Sequence, residues 1–496
     1  MLFDYDDTNL ESIFNYAKKL EGMTFQEVLD EYNNSVQKIY LNPSENHNKD
    51  NSDICPENVT VENTNAKGQL GNFIERYYFG YFPNGKQEAD FSKTGMELKL
   101  TCIDKKQNGG YTAGERLSIT NISYKEPVEE NFYKSHVWEK IKLILLVHYL
   151  RDKSKDRMDY EIKYVNKFTP NNNDLNIIIE DYHEIIEKIK QGKAHEISES
   201  DTLYLGACTK GATAEKSKVP QYYGEHILAK KRNFCFKRQY MDYILHSYIL
   251  KDTKPAESII VNNELDYYEP FEKQIVRIIN SYKGMTDKEL CIKFHREYNN
   301  NKAQWIDLAY RMLKIKSNKA EEFVKANIVV RAVRVEKNGT IKESLSLPTL
   351  TFKEFVTETY ENSKFCTYFE ETKFLFVIYK SNGAEYVLQN AKIWNMPYTD
   401  LYGDAKIGWE NIQKKIKEGV TFTIEKNEVH NNLPKKNDNK IIHIRPHTSK
   451  SAYKLNNGYT KGNISKDGDQ LPNGEWMTKQ CLWLNNSYLI TELDIK

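Results

Sequence analysis

The stretch Asp90-Phe91-Ser92-Lys93-Thr94-Gly95-Met96-Glu97-Leu98-Lys99 places two carboxylates and a lysine where phosphoryl chemistry could use them. From Met96 onward apolar and charged residues alternate: Met96, Leu98 and Leu100 against Glu97 and Lys99. A strand repeats every two residues, so Glu97 and Lys99 share one face and the apolar side chains pack beneath. Gly95 and the polar residues before it mark a turn, which lets Asp90 fold back beside Glu97. Clustered carboxylate oxygens suit a hard cation such as Mg²⁺. Such an ion activates water and stabilises charge on a phosphoryl oxygen, and a neighbouring lysine can position the attacking water. Taken alone, the pattern is better described as a half-buried strand carrying a surface ion pair, because short motifs recur by chance.

The elements that must hold this stretch follow from the rest of the chain. Its 496 residues suggest two to four domains. A hydrophobic fraction of 39% and a charged fraction of 28% fit a globular chain, and 34 Tyr against 13 Pro argue against long disorder. The net charge of +1 sets up no global field, so any nucleic-acid contact must come from local basic faces. The seven cysteines are scattered and form no C-x-x-C pair, which speaks against structural zinc and a disulfide framework. The N-terminus is acidic and lacks an apolar signal core, and the run from Ile141 to Leu150 is too short to cross a bilayer. A reducing cytoplasm is the expected compartment.

Leu10 to Tyr32 reads as a helix or pair broken near Gly22, with Thr24 and Glu27 spaced as a capping box. Residues 71–80 (GNFIERYYFG) read as a helix carrying Glu75, and 117–122 and 140–149 as strands, the second central in a sheet. Residues 174–191 show helical spacing closed by Gly192, and 202–210 return to strand. Little periodicity survives between Asp252 and Glu269, so the domain boundary is expected there, at 255/256.

The second half echoes the first. Glu21-Gly22-Met23-Thr24 recurs as Lys283-Gly284-Met285-Thr286, and Tyr182 to Gly192 recurs as Trp409 to Gly419. Laid onto the opening stretch, Glu322 to Arg331 replaces Glu97 by Val329 and Lys99 by Arg331, and Glu371 falls opposite Lys140. A valine cannot hold Mg²⁺ and a strand needs no glutamate to fold, so Glu97 is expected to serve function rather than structure. One half would do chemistry and the other would bind.

Over nearly its whole length the chain resembles the MutH-like type II restriction endonucleases, which cleave DNA at GATC. The first half carries the likeness in Lys67-Gly68-Gln69-Leu70-Gly71 leading to Glu75, in Asp90, Glu97-Leu98-Lys99, and Ser135-His136-Val137 leading to Lys140. It continues through Gly192-Lys193-Ala194-His195-Glu196 and Cys208-Thr209-Lys210-Gly211-Ala212. In the second half it lies in His443-Ile444-Arg445-Pro446-His447-Thr448 and Glu475-Trp476-Met477-Thr478-Lys479-Gln480.

The resemblance implies an α/β (α+β) fold of two tandem PD-(D/E)xK domains, each a mixed sheet flanked by helices. Residues 1–255 would be catalytic; 256–496 would bind DNA and regulate, without the catalytic motif. Asp90, Glu97 and Glu75 would be the metal carboxylates, Lys99 the catalytic lysine and Lys140 a further active-site lysine. Thr209 and Lys210 would lie in the loop that reads the bases. The mismatch-repair branch has arginine and tyrosine where this chain has Cys208 and Cys235, so base readout in the first half departs from that pattern. The second half keeps Arg445-Pro446 and has His447 and Trp483 at two other readout positions.

Outside the resemblance, Lys230, Lys231, Arg232, Lys237 and Arg238 alternate with aromatics and could track phosphates. A solvated face is the alternative. Arg445 could fork onto guanine or equally onto a carboxylate. His443 and His447 are not expected to bind zinc, and His136 and His195 carry no assigned role. The expectation is a Mg²⁺-dependent endonuclease cutting both strands at GATC. Its partners would be double-stranded DNA, with two sites held at once, and a cognate DNA methyltransferase, and it would be a monomer off DNA with no membrane association. The alternative is a sequence-specific binder or strand-nicking protein.

Overall fold

The structure is a computed structural model. It describes residues 3–41, 69–81, 88–209, 218–253, 256–266, 268–299, 301–342, 344–426 and 428–495. The chain divides into two compact units: residues 1–195 with 202–255, and 196–201 with 256–496. Each has its own apolar core.

The first unit begins with helices α1 (Leu10–Lys18), α2 (Phe25–Leu41) and α3 (Gln69–Tyr77). Between α1 and α2, Thr24 and Glu27 close a reciprocal cap, with Thr24 N donating to Glu27 Oε2 at 2.7 Å and Glu27 N to Thr24 Oγ1 at 3.2 Å. The main sheet follows, in the order β2 (Tyr111–Ala113), β1 (Glu97–Lys105), β4 (Ile144–Arg151), β5 (Glu161–Phe168). Strands β1 and β4 run parallel and the other pairs are antiparallel. Because β4 is central, Ile144, Leu145, Leu146 and Val147 are all fully buried. A second sheet, β3 (Leu117–Asn121), β9 (Arg232–Phe236), β6 (Leu205–Thr209), and a short pair, β7 (Lys218–Val219) with β8 (Ala229–Lys230), complete its strands among the described residues. The parallel crossover contains α4 (His136–Ile141); α5 (Asn172–Lys190) and α6 (Arg238–Ile244) follow in the chain.

The expected strand over residues 140–149 is corrected by α4. Ser135 caps it, its hydroxyl accepting from Trp138 N at 3.2 Å, and Lys140 sits in its last turn. The strand starts only at Ile144.

The second unit repeats this plan. Its sheet runs β10 (Ile328–Val335), β12 (Lys373–Ser381), β13 (Tyr386–Trp394), with the first pair parallel and the second antiparallel. A further sheet, β11 (Ser346–Thr349), β21 (Gln480–Leu484), β16 (Ile442–Pro446), matches β3-β9-β6 in order and direction. The remaining strands are the pair β14 (Phe422–Glu425) and β15 (Glu428–Asn431), and a four-stranded set. That set comprises β17 (Tyr453–Lys454), β18 (Thr460–Lys461), β19 (Gly468–Gln470) and β20 (Trp476–Thr478).

Two independent features fix the register of the repeat. Strand β4 bulges against β5 between His148 and Tyr149, and β12 bulges against β13 between Ile378 and Tyr379. Gly22 N donates to Ile162 O at 2.8 Å, and Gly284 N donates to Leu388 O at 2.9 Å, just past each bulge. Counting back from the bulges, Glu97 stands opposite Ile144 as Val329 stands opposite Phe374. Arg331 therefore occupies the position of Lys99. Slipping by one residue would turn every side chain to the other face.

Candidate active site

Helix α3 buries Leu70, Phe73 and Ile74 and leaves Glu75 half-buried. The turn before β1 is closed by Phe91 N to Met96 O and by Gly95 N to Phe91 O, both 2.9 Å. Gly95 has φ +71°, a left-handed backbone that disfavours any Cβ. This turn brings Asp90 back onto the strand: Leu98 N donates to Asp90 Oδ2 at 2.9 Å, and Asp90 N donates to Glu97 Oε2 at 3.1 Å.

Glu97 is 1% exposed, and both its oxygens are occupied. Lys99 Nζ lies 2.6 Å from Oε1, and Lys140 Nζ lies 2.8 Å from Oε2. Lys140 also donates to Glu88 O at 2.6 Å, which fixes it to the loop ahead of Asp90. A buried carboxylate survives ionised only with such partners. Burial pushes Asp90 up to about 7, helped by Glu97 and Glu75 and opposed by Lys99 and Lys140. Burial also raises Glu75, which feels Lys99, Glu97 and Lys140. The five residues thus share one electrostatic neighbourhood.

Sequence reasoning missed Tyr81. Its hydroxyl is buried without a hydrogen-bond partner, and Asp90, Glu75 and Glu97 add to burial in pushing its pKa far above the usual range. It follows α3 in an aromatic run with no period, so no pattern singled it out.

Among the described residues no group of three or more His, Cys, Asp or Glu is arranged to hold a metal ion. The donor set nonetheless suits one. Asp90 and Glu97 offer hard oxygen donors tied together through the Asp90 N–H, and Glu97 and Glu75 add to burial in raising the proton affinity of Asp90, the mark of a cluster short of positive charge. The lysines supply part of that charge.

The expected DNA contacts separate into two groups. Thr209 is exposed at the end of β6, and Lys210 lies outside the described residues. Arg445 and His447 are exposed, and the Arg445 guanidinium stacks 3.9 Å from the centroid of the Trp483 ring, with His447 beside the same ring at 5.9 Å. By strand register Cys208 and Cys235, both buried, stand in the first unit where Arg445 and Trp483 stand in the second.

Lys237 corrects its expectation. It is 4% exposed and donates to Thr202 O, beside the buried Asp181. Asp181 accepts the N–H groups of Leu203, Tyr204 and Leu205, so this lysine offsets a buried charge and does not face a phosphate. Arg238 is half-buried and donates to Ala113 O at 3.0 Å, which ties α6 to β2. Arg232 is buried and donates to Ala207 O at 2.7 Å. Of that basic run Lys231 is exposed. His443 is buried against Asn485 at 2.7 Å, a structural histidine.

The family profile described as DNA mismatch repair enzyme MutH matches residues 79–181, which span Asp90, Glu97, Lys99 and Lys140. The type II restriction enzyme Sau3AI of Staphylococcus aureus is 32% identical over 462 residues, covering 86% of this chain and 93% of that protein. The chain belongs to the MutH-like type II restriction endonucleases. The DNA mismatch repair protein MutH of Shigella boydii is 26% identical over 202 residues, covering 40% of this chain and 82% of that protein. Its counterpart from Escherichia coli K12 is 25% identical over the same length. As a member of this family the chain is a site-specific deoxyribonuclease. Among the described residues no helix is long and apolar enough to cross a membrane.

Proposed function

We propose that the first unit of this endonuclease hydrolyses both strands of DNA at GATC with Mg²⁺, and that the second binds a further copy of the site and regulates the first. The observation that carries the reading is Glu97: a buried carboxylate held by two lysines and touched by Asp90, at the head of the parallel strand pair. Asp90, Glu97 and Glu75 would hold the ion, which when bound lowers the pKa of a coordinated water and stabilises charge on a phosphoryl oxygen. Lys99, half-buried with its ammonium 2.6 Å from Glu97 Oε1, would orient the attacking water and steady the transferring group. Lys140 is a positioning residue. Buried between Glu88 O and Glu97, it holds that carboxylate in place.

GATC specificity is supported by the likeness to Sau3AI and MutH. The Arg445–Trp483–His447 surface supports DNA reading by the second unit, since a guanidinium can donate twice to guanine in the major groove. A cognate methyltransferase that protects host sites, a monomeric state off DNA and a cytoplasmic location belong to the same reading.

The test is digestion of duplexes with and without GATC, in Mg²⁺ and in EDTA. Both strands of the GATC duplex should break in Mg²⁺ alone. A gel shift without cleavage would reduce the protein to a binder, and breakage of one strand would make it a nicking enzyme.

A further inference from the structure

The second unit's counterpart of the catalytic centre has changed as a set. Helices α3 and Gln304–Met312 share a burial pattern, with Leu70, Phe73 and Ile74 matched by Trp305, Leu308 and Ala309; Glu75 then corresponds to Tyr310. Asn318 Oδ1 accepts Val330 N at 3.1 Å, as Asp90 Oδ2 accepts Leu98 N at 2.9 Å. Asn318 therefore stands in for Asp90. Glu322, the residue that direct overlay places there, is instead spent on Ser258 and the N–H groups of Ile259 and Ile260. Counted from the helix caps Ser135 and Ser363, Lys140 corresponds to Tyr368 rather than Glu371. All three carboxylates have gone, and one cation, Arg331, remains in the place of Lys99.

Arg331 is half-buried between Tyr310 and Tyr368 and donates to the Tyr368 hydroxyl. Its Nε is buried with no acceptor. A buried guanidinium donor without a partner is costly, and no carboxylate stands at these positions to relieve it. The charge arithmetic is also telling. In the first unit three carboxylates face two ammoniums, so a divalent cation would bring the cluster to one net positive charge. In the second unit Arg331 among Tyr310, Asn318, Val329 and Tyr368 reaches one net positive charge with no ion at all.

We propose that this site is a metal-free clamp for a single backbone phosphate of the DNA held by the second unit, with the half-buried Arg331 cation holding a phosphate oxygen. The inference rests on the reading that the second unit binds DNA. It makes the lost nuclease centre a binding subsite: the phosphate is held, and no group there can activate water.

The experiment titrates GATC duplex onto the full chain in EDTA, where the proposed function expects two duplexes per chain. Arg331→Gln should leave the first binding event intact and weaken the second about tenfold, a charged hydrogen bond's worth. It should also lower the slope of log affinity against log salt for that event by about one. Arg331→Lys should recover part of the loss. Arg331→Met, which removes the unpaired donor, should keep or raise the thermal midpoint; a lower midpoint would make Arg331 structural and overturn the proposal. The difference between wild type and Arg331→Gln should persist when inorganic phosphate replaces part of the chloride at equal ionic strength. Its disappearance would assign the site to a free anion and overturn the proposal. Loss of the second event in Arg445→Ala but not in Arg331→Gln would overturn the clamp and leave DNA binding by the second unit standing. If neither variant affects it, the DNA-binding reading itself falls.

Discussion

At the head of the parallel strand pair the first unit carries Glu97, buried and gripped by two lysines; at the same register the second carries Val329. On the neighbouring three-stranded sheet the difference runs the other way. The first unit has buried Cys208 and Cys235, and the second has Arg445 stacked on Trp483. Both units kept the bulge, the glycine turn and the capped helix that set the frame. A fold fixed by backbone register thus tolerates exchange of every charged group at this edge. The frame needs the strands, and the chemistry needs only a few side chains upon them.

The comparison can be broken by making one unit resemble the other. Asp90→Asn copies Asn318 into the first unit. It keeps an acceptor for Leu98 N, so folding should be unchanged, while GATC cleavage should fall about a thousandfold through loss of a ligand charge. Near-normal cleavage by a folded variant would show that the acid edge is not the reactive one. In the reverse direction, Asn318→Asp should create no nuclease in an Asp90→Asn background, because Tyr310 and Val329 still lack carboxylates.

Arg445→Ala should weaken engagement of a second GATC site by about 1–3 kcal/mol, the worth of a bidentate base contact. Single-turnover cleavage of a short one-site duplex should stay the same. Equal loss in both assays would dissolve the division of labour. Lys237→Met should cost about 1–3 kcal/mol of stability in denaturant unfolding, by leaving Thr202 O unpaired and Asp181 less compensated. The salt dependence of DNA binding should not move. The smallest effect is expected at Tyr81. Removing its unpaired hydroxyl in Tyr81→Phe should hold or raise the thermal midpoint and slow cleavage several-fold; unchanged cleavage would make it a passive wall.

Much of this architecture is legible in the order of residues alone. Alternation from Met96 to Leu100 marks the strand and the shared face of Glu97 and Lys99, and the paired Thr-x-x-Glu caps mark the start of a helix in each half. The aliphatic run after Lys140 misleads, because an apolar run has no period to tell a helix end from a buried strand. The cap at Ser135 is followed by Trp138 rather than an acidic third residue, so it lacks the box signature that reveals Thr24. Asn318 is hidden because the helix Glu321–Ala326 lies between it and β10 and displaces the simple overlay. The burial of Lys237 and Arg232 depends on contacts with residues about 25 to 35 positions away, which local charge patterning cannot register.

The most direct test of the central claim is single-turnover cleavage of a one-site GATC duplex by Lys99→Ala in Mg²⁺, paired with its DNA affinity in EDTA. The account predicts that cleavage is lost while affinity is retained. Undiminished cleavage by that variant would contradict it.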